Sequence, residues 1–387
     1  MINIDMQVLE LQRDMLRRTD HAIEHVAPLQ HFDSSGSATY KSLGKQLMTE
    51  GKMGCILLAG GQGTRLKFDG PKGMYPTSPA HEKSLFQLFA EKTAAAEKVG
   101  GKPLHMAVMT SPENHEQTVN FFREHNYFGL PSSQIDFFMQ TTLPILDEKG
   151  QLLKDSAGQI IVGPDGNGSV FASFIDAGLK NKWKQLGIEI VNIIPVDNPL
   201  ADPFDWELAG YLQALSLDLV VKAALREDPL ESVGVLVEKE GKVCVVEYTE
   251  LPKDQKEARD DHNFLIHRCA YISLFALKLS NFDHHPMPLH LAYKAIPHVG
   301  DPTPSSPNAW KFEKFIFDIF PRIERIGILV YPRAECFAPL KNFSGPNSID
   351  TVQEAMMQRD RKRMTELGMP IPEVPFELSP EYYYKDE

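Results

Sequence analysis

The sequence predicts an α/β fold in which a mostly parallel sheet is covered by helices. Short apolar runs at residues 56–59, 104–109 and 188–196 are typical of strands that are buried on both faces. Between them, residues 84–99 and 170–186 carry apolar side chains at helical spacing. Strands that alternate with helices in this way favour parallel pairing, because each helix returns the chain to the same end of the sheet.

The length of 387 residues allows one large domain with small appendages. We expect an N-terminal helical segment over residues 1–45, a central α/β domain over residues 46–345 and a short C-terminal helical segment over residues 346–387. Residues 3–31 have apolar positions at helical spacing, which predicts one or two amphipathic helices packed on the central domain.

The pattern changes after residue 217. Short β-like runs occupy residues 219–224, 233–238 and 243–247, and Glu240-Gly241 is a candidate hairpin turn between the last two. We interpret these three runs as an antiparallel extension of the sheet that forms the second half of a binding cleft. Residues 311–320 have strong apolar periodicity, which predicts a helix.

Composition excludes several classes of protein. The apolar fraction of 42% and charged fraction of 24% are ordinary for a globular protein, and no apolar run is long enough to span a membrane. The four cysteines (Cys55, Cys244, Cys269 and Cys336) lack the paired spacing of a disulfide framework or a zinc site. We therefore expect a protein of a reducing compartment, the cytoplasm, with no membrane partner.

The net charge of −12 disfavours a nucleic acid as partner, since proteins that bind nucleic acids are usually basic. If the substrates are anions, local clusters of lysine and arginine must attract them.

A glycine-rich loop follows the apolar run at residues 56–59. Three glycines in four residues let the main chain turn sharply and present its N–H groups to an anion. Fixed positive charges stand close by in the sequence, as expected for a polyphosphate cradle. The loop reads Gly60-Gly61-Gln62-Gly63-Thr64-Arg65, and Lys72 follows it.

Two known phosphate loops do not fit this segment. A P-loop needs Gly-Lys-Ser/Thr, which is absent here, and the dinucleotide fingerprint needs a third glycine where Leu66 stands. The alternative to a phosphate loop is a glycine-rich turn with incidental charges.

Asp197 ends another apolar run, and its carboxylate is a ligand type that Mg²⁺ uses together with phosphate oxygens. The alternative is a helix cap or an Asx turn before Pro199. Because ligands bind at the carboxyl ends of strands in an open α/β sheet, we expect the glycine loop, Gln140, Asp197 and Lys341 to converge at one edge.

The glycine loop, together with Pro71-Lys72-Gly73-Met74-Tyr75, resembles the signature of eukaryotic-type UDP-sugar pyrophosphorylases. Within that group it is most similar to the UDP-N-acetylhexosamine pyrophosphorylases. Further segments match in the same order. They are Phe137-Phe138-Met139-Gln140, Pro164-Asp165-Gly166-Asn167-Gly168, Val196-Asp197-Asn198, Val233-Gly234-Val235, Val245-Val246-Glu247-Tyr248, the run at residues 313–320, and Pro339-Leu340-Lys341-Asn342.

This resemblance implies a Rossmann-like fold of the nucleotide-diphospho-sugar transferase type, with residues 46–345 as the catalytic domain. It also implies that a sugar 1-phosphate attacks the α-phosphorus of UTP in line, so that pyrophosphate leaves without a covalent enzyme intermediate. Such chemistry depends on positioning and charge neutralisation. The implied catalytic residues are Arg65, Lys72 and Lys341, with Asp197 as the ligand of Mg²⁺.

By the same resemblance, Gly60, Gly61, Gln62, Gly63, Thr64, Gln140 and Gly166 bind the nucleotide. It likewise implies that Asn167, Gly234 and Glu247 bind the sugar. The leading expectation is therefore a uridylyltransferase that makes UDP-N-acetylglucosamine.

One segment departs from the family pattern. Where the family has Asn-Ala-Gly-Asn, with the last Asn contacting the N-acetylhexosamine, this chain reads Ile266-His267-Arg268-Cys269. The departure motivates a rival expectation, the same reaction on another hexose 1-phosphate such as glucose 1-phosphate. A second rival is a UDP-sugar-binding regulatory protein without turnover. The chain is short at both ends relative to the eukaryotic enzymes, and we favour a monomer.

Overall fold

The structure is a computed structural model that describes residues 5–17 and 26–384. Its helices are α1 (Met6–Arg17), α2 (Ala38–Thr49), α3 (Leu85–Gly100), α4 (His115–Glu124), α5 (Val170–Asp176), α6 (Leu179–Gln185), α7 (Trp206–Ala214), α8 (Lys253–Glu257), α9 (Arg333–Cys336) and α10 (Ile349–Glu366). Its strands are β1 (Ala27–Pro28), β2 (Asp33–Ser34), β3 (Met53–Leu58), β4 (His105–Thr110), β5 (Ile135–Met139), β6 (Thr142–Pro144), β7 (Val162–Pro164), β8 (Ile190–Pro195), β9 (Leu219–Leu225), β10 (Gly234–Lys239), β11 (Lys242–Val246), β12 (Cys269–Lys278), β13 (His290–Lys294), β14 (Ala309–Glu313) and β15 (Ile326–Val330).

One large sheet organises the chain, with the strand order β2-β15-β9-β12-β8-β3-β4-β5. Neighbouring strands along this path are parallel except at β12, which is antiparallel to both β8 and β9. Every residue of β3 is buried, as expected for a strand with helices on both faces of the sheet. The predicted α/β fold with a mostly parallel sheet is confirmed.

Strand β12 was not foreseen from the sequence. Its ten residues are almost all buried, and it completes the sheet between β8 and β9. An apolar run of this length gives no alternation of buried and exposed positions, so periodicity does not distinguish a strand from a buried helix.

The single helix expected over residues 170–186 is in fact two helices, α5 and α6. Gly178 separates them with a φ of +76°, a left-handed conformation that interrupts a right-handed helix. The apolar spacing continues across the break, which is why the pattern alone predicted one helix.

The helix expected over residues 311–320 is wrong. The first part of this segment is strand β14, paired antiparallel with β13, and a 3-10 helix (Ile316–Arg322) follows it. The segment is rich in phenylalanine, which suits a strand as well as a helix, and pairing with β13 decides the outcome.

The antiparallel extension is confirmed in part. Strands β10 and β11 form the expected hairpin, and β10 also pairs antiparallel with β12. The expectation is wrong for residues 219–224 as an extension, because β9 lies inside the main sheet, parallel to β15 on one side and antiparallel to β12 on the other.

The N-terminal part packs against the rest in two ways. Helix α1 buries Gln12, whose Nε2 donates to the carbonyl of Pro144 at 3.0 Å, and β2 pairs parallel with β15 at the edge of the sheet. Of the helices expected over residues 3–31, the structure shows α1, while residues 18–25 lie outside the described residues. Among residues 5–17 and 26–384, none of the helices has the length and apolarity needed to cross a membrane.

Helices α2 and α7 approach each other unusually closely through two glycines. A Cβ at Gly44 would lie 1.6 Å from the carbonyl oxygen of Trp206, and one at Gly210 would lie 1.8 Å from that of Tyr40. The absence of side chains at these positions lets the two backbones touch.

Gly210→Ala should therefore lower the free energy of unfolding by about 1–3 kcal/mol, the usual cost of overpacking. An alanine in a helix normally stabilises relative to glycine, so the sign of the change is diagnostic. Gly100→Ala in α3 is the matched control, since the added Cβ would meet only contacts of 3.5 Å or more. Urea denaturation measures both, and equal stability of the two variants would contradict the close packing.

Candidate active site

A cleft of about 910 Å³ opens at the carboxyl ends of the parallel strands. The loops after β3, β5 and β8 reach it, which is where ligands bind in open α/β sheets. The predicted site residues that line it are Gly60, Gly61, Gln62, Thr64, Lys72, Gln140, Gly166, Asn167, Asp197, Gly234, Glu247 and Lys341.

Two of the predicted residues do not line this cleft. Gly63 is buried behind the loop, where a Cβ would lie 2.8 Å from the ring of Phe68. Arg65 is exposed in the short 3-10 helix that follows the glycines. The roles expected for the two residues stay predictions.

The glycine loop is held in shape by main-chain hydrogen bonds. The N–H of Ala59 donates to Met109 on β4 at 2.7 Å, and the N–H of Lys72 donates to the carbonyl of Gly61 at 3.1 Å. The lack of a side chain at Gly60 lets Gln140 lie against the loop, since a Cβ there would be 2.5 Å from the side-chain nitrogen of Gln140. Gly61 faces open space, so a ligand can approach its main chain closely.

Asn114 supports this loop and was missed by the sequence reasoning. Its side chain is fully buried, and its Nδ2 donates to the carbonyl of Ala59 at 2.9 Å and to that of Gly61 at 3.4 Å. The available signal was an asparagine immediately before α4, which looks like an ordinary cap in the sequence.

The carboxylate of Asp197 lies beside the glycine loop. Its Oδ2 is 3.5 Å from the ammonium of Lys72, which also donates to the carbonyl of Leu340 at 3.4 Å. The lysine is buried and the aspartate side chain is 21% exposed, so the carboxylate faces the cleft. The ion pair therefore joins the loop after β3 to the loop after β8.

Lys341 reaches the cleft because its segment is tied to Asp197. The N–H of Leu340 donates to the carbonyl of Asp197 at 2.7 Å, and the buried amide of Asn198 bonds to Cys336 and Ala338. Within the described part of the chain, the ammonium of Lys341 has no acidic partner within 4 Å. A cation in this state is available to an anionic ligand.

At the far end of the cleft, Gly166 and Asn167 are held by the segment around Lys314. Gly166 has a φ of +89°, and a Cβ there would lie 2.4 Å from the carbonyl oxygen of Lys314. The Oδ1 of Asn167 accepts from the N–H of Ile316 at 2.9 Å. The Nδ2 of Asn167 therefore remains the group of this side chain that suits a ligand.

The hairpin of β10 and β11 supplies the opposite wall, with Gly234 at the start of β10 and Glu247 immediately after β11. Burial raises the pKa of Glu247, and the neighbouring Glu250 raises it further, while Lys341 and His290 act in the other direction. Glu247 and Lys341, the two predicted functional groups, both line the cleft.

Glu247→Gln should raise the melting temperature at neutral pH. The pKa of Glu247 is higher in the folded protein than its ordinary value of 4.5, so the ionised carboxylate destabilises the fold. As pH rises from the ordinary value through the raised pKa, the free energy of unfolding of the wild-type protein falls relative to that of Glu247→Gln. Below the ordinary value the two proteins should be equally stable. Thermal melts from pH 4 to 8 test this, with the exposed Glu373→Gln as control. A variant less stable than wild type at pH 7 would contradict it.

A second feature missed from the sequence is a bulge in β12. Two residues, Ile272 and Ser273, are extra relative to β9, where Tyr271 pairs with Ala223 and Leu274 pairs with Lys222. Ser273 has a φ of +60° and lines the cleft, whereas Cys269, which ends the segment that departs from the family pattern, is buried in the sheet. Nothing in a serine within an apolar run signals a left-handed conformation.

The sequence profile of the family described as "UTP–glucose-1-phosphate uridylyltransferase" matches residues 9–344. The chain belongs to this family. The UDP-N-acetylglucosamine pyrophosphorylase of Saccharomyces cerevisiae is 37% identical over 327 residues, which cover 80% of this chain and 68% of that protein.

Solved structures agree with this assignment. The crystal structure of a protein from Entamoeba histolytica superimposes on this chain with a TM-score of 0.85. The two sequences are 29% identical, and the match covers 92% of this chain and 94% of that one. The uridine diphosphate N-acetylglucosamine pyrophosphorylase from Trypanosoma brucei, in complex with an inhibitor, has a TM-score of 0.80 and 28% identity, covering 93% and 76%. The expectation of a nucleotidyltransferase of the UDP-sugar pyrophosphorylase family is confirmed.

Proposed function

We propose that this uridylyltransferase joins UTP and N-acetylglucosamine 1-phosphate to give UDP-N-acetylglucosamine and pyrophosphate. The observation that carries the proposal is the convergence of the glycine loop, the Lys72–Asp197 pair and Lys341 in one cleft. A polyphosphate needs main-chain N–H groups and cations together, and the cleft offers both although the whole chain is acidic.

The proposed reaction needs no nucleophile from the protein. An oxygen of the sugar phosphate attacks the α-phosphorus of UTP, and the bond between this phosphorus and the oxygen leading to the β-phosphate breaks. Lys72 neutralises charge on the triphosphate and Lys341 holds the incoming sugar phosphate, so the two anions meet in line. Arg65 would join them from the exposed end of the loop. In the reverse direction the same groups bind the UDP-sugar and pyrophosphate.

The nucleotide would lie along the glycine loop, with its base toward Gln140 and Gly166. Gln140 is buried and offers both a donor and an acceptor, which is what the edge of a uracil requires. Asn167 would contact the ribose or the sugar through its amide nitrogen, while Gly234 and Glu247 would hold the hexose.

We propose Mg²⁺ as the divalent cation, held by Asp197. Among the described residues, no three His, Cys, Asp or Glu side chains are grouped so that they could hold a metal by themselves. A single cleft-facing carboxylate fits Mg²⁺, which takes one or two protein carboxylates and completes its shell with phosphate oxygens and water. When bound, the ion would neutralise phosphate charge as the reaction proceeds.

The choice of N-acetylglucosamine rests on the relatives and on the cleft wall. The Saccharomyces and Trypanosoma proteins both carry the name of this activity. The rings of Phe315 and Phe317 line the cleft near Tyr271, which contacts Phe317 edge to face at 5.5 Å. An apolar wall of this kind suits the methyl of an acetamido group better than a bare hydroxyl.

Pyrophosphate release measured with UTP and a panel of sugar 1-phosphates tests the proposal. We expect kcat/KM for N-acetylglucosamine 1-phosphate to exceed that for glucose 1-phosphate by roughly 10–200-fold, the range that apolar pockets achieve. A preference for glucose 1-phosphate would contradict the choice of hexose. UTP binding without magnesium-dependent pyrophosphate release would indicate a non-catalytic binding protein.

We also propose that the protein works as a monomer in the cytoplasm. The four cysteines are all free thiols, as is usual in a reducing compartment. The residues proposed to bind the two substrates come from different segments of the same chain. Light scattering at the mass of one chain would support the monomer, and twice that mass would contradict it.

A further inference from the structure

The turn that follows Asp197 and Asn198 is held by two basic side chains from distant parts of the chain. The ammonium of Lys92, in α3, donates to the carbonyls of Pro199 at 2.5 Å and Ala201 at 2.7 Å. The guanidinium of Arg359, in α10, donates to the carbonyl between them, that of Leu200, at 3.2 Å. Three consecutive carbonyls are thus fixed by the donors of two basic side chains.

Lys92 is an unusual residue for its position. It is 8% exposed and lies on the apolar face of α3, four residues after Leu88 and four before Ala96. Burial lowers its pKa well below the ordinary value, and the charge of Arg359 adds to this effect. Keeping an amine here is costly unless its hydrogen bonds are all made, and its donors go to the turn after Asp197.

The other side of the same turn is fixed by the amide of Asn198. Its Oδ1 accepts from the N–H of Ala338 at 3.0 Å and from that of Leu200 at 3.3 Å. The carbonyl of Asp197 itself accepts from Leu340. Because Asp197 and Asn198 are tied on one side to the Lys341 segment, the remaining mobility of the Asp197 carboxylate depends on the contacts of residues 199–201.

We propose that Lys92 and Arg359 are positioning residues that fix Asp197 for the divalent cation by holding the carbonyls of Pro199, Leu200 and Ala201. The inference rests on the proposed role of Asp197 and extends it to two side chains that do not line the cleft. Partners that orient a metal ligand contribute about 10–100-fold to affinity or activity.

The C-terminal segment contributes to this arrangement. The Nε of Arg359 donates to the hydroxyl of Tyr383 at 3.2 Å, and the hydroxyl of Tyr384 donates to Asp202, immediately beyond the turn. Tyr384 is buried at 2% exposure. Tyr383 therefore positions the guanidinium of Arg359, and Tyr384 fixes the residue that follows the turn.

Thermal unfolding in three conditions tests the proposal: EDTA alone, UTP with EDTA, and UTP with MgCl₂. Ligands that bind the folded state raise the melting temperature, so magnesium should add a further rise to that from UTP. In Lys92→Met we expect the rise from UTP to be retained and most of the magnesium-dependent rise to be lost. The kcat at saturating UTP and magnesium should fall about 10–100-fold with an unchanged KM for UTP.

Three comparisons decide the outcome. Lys92→Arg keeps a donor to the turn and should recover part of the magnesium-dependent rise. Lys222→Met is the matched control, because Lys222 is equally buried but bonds to Asp205, and it should keep that rise in full. The proposal would be overturned if Lys92→Met folds and keeps the wild-type magnesium-dependent rise and kcat. It would also be overturned if Lys222→Met loses as much of that rise as Lys92→Met does.

If Lys92→Met does not fold, Arg359→Met, on the half-buried face of α10, is tested instead. This variant should also lose most of the magnesium-dependent rise in melting temperature. Wild-type behaviour of that variant would then overturn the proposal. A wild-type protein that shows no magnesium-dependent rise would instead refute the metal role of Asp197 itself. The two failures are thereby distinguished.

Discussion

Lys341→Ala should lower kcat by about 10²–10³-fold, since removing one preorganised group that stabilises charge costs about 2.7–4 kcal/mol of transition-state stabilisation. Lys341 lines the cleft and its ammonium forms no ion pair within 4 Å among the described residues, so its charge is available to the sugar phosphate. Steady-state kinetics of pyrophosphate release measure the effect.

The exposed Lys149→Ala is the control for general effects of removing a positive charge, and it should behave as wild type. Near-normal turnover of Lys341→Ala would refute the role proposed for this residue. Arg65→Ala belongs in the same series, because Arg65 lies outside the cleft lining and its proposed role requires the loop to bring it to the triphosphate.

Asp197→Asn should lower kcat on the order of 10³-fold and remove most of the response to magnesium, because a bound cation supplies several kcal/mol of charge stabilisation. Asparagine keeps the size of the side chain and removes its charge, so the turn itself should persist. Activity measured against magnesium concentration, with EDTA as the end point, checks this.

The exposed Asp261→Asn is the matched control and should leave the magnesium dependence unchanged. Asp197→Asn that keeps both its turnover and its magnesium response would contradict the assignment. Lys72 loses its ionic partner in the variant, so a smaller additional change in UTP binding is expected.

The convergence of the cleft residues could be predicted because it depends on few features. Parallel strands put their carboxyl ends at one edge, and Leu58 of β3 lies between Met109 of β4 and Pro195 of β8. Polar residues that directly follow such strands must then lie close together. The glycine loop and Asp197 are neighbours for this reason.

Other parts of the site depend on tertiary contacts that leave little trace in the sequence. The bulge at Ser273 requires knowing that β12 pairs with β9, and the strand character of residues 309–313 requires knowing that β13 is its partner. Lys92 gave a weak signal as a charge on an apolar helix face, which becomes informative only once the turn at residues 199–201 is seen to contact it.

The pairing of β2 with β15 joins two short segments from near opposite ends of the chain, since Asp33 lies beside Leu329. During synthesis, the earlier of these strands must wait for almost all of the remaining chain before its partner exists. Contacts between residues so far apart in sequence are slow to form. The closing of that edge should therefore be a late step in folding, and pulse-labelled hydrogen exchange should find its amides protected after those of β3 and β4.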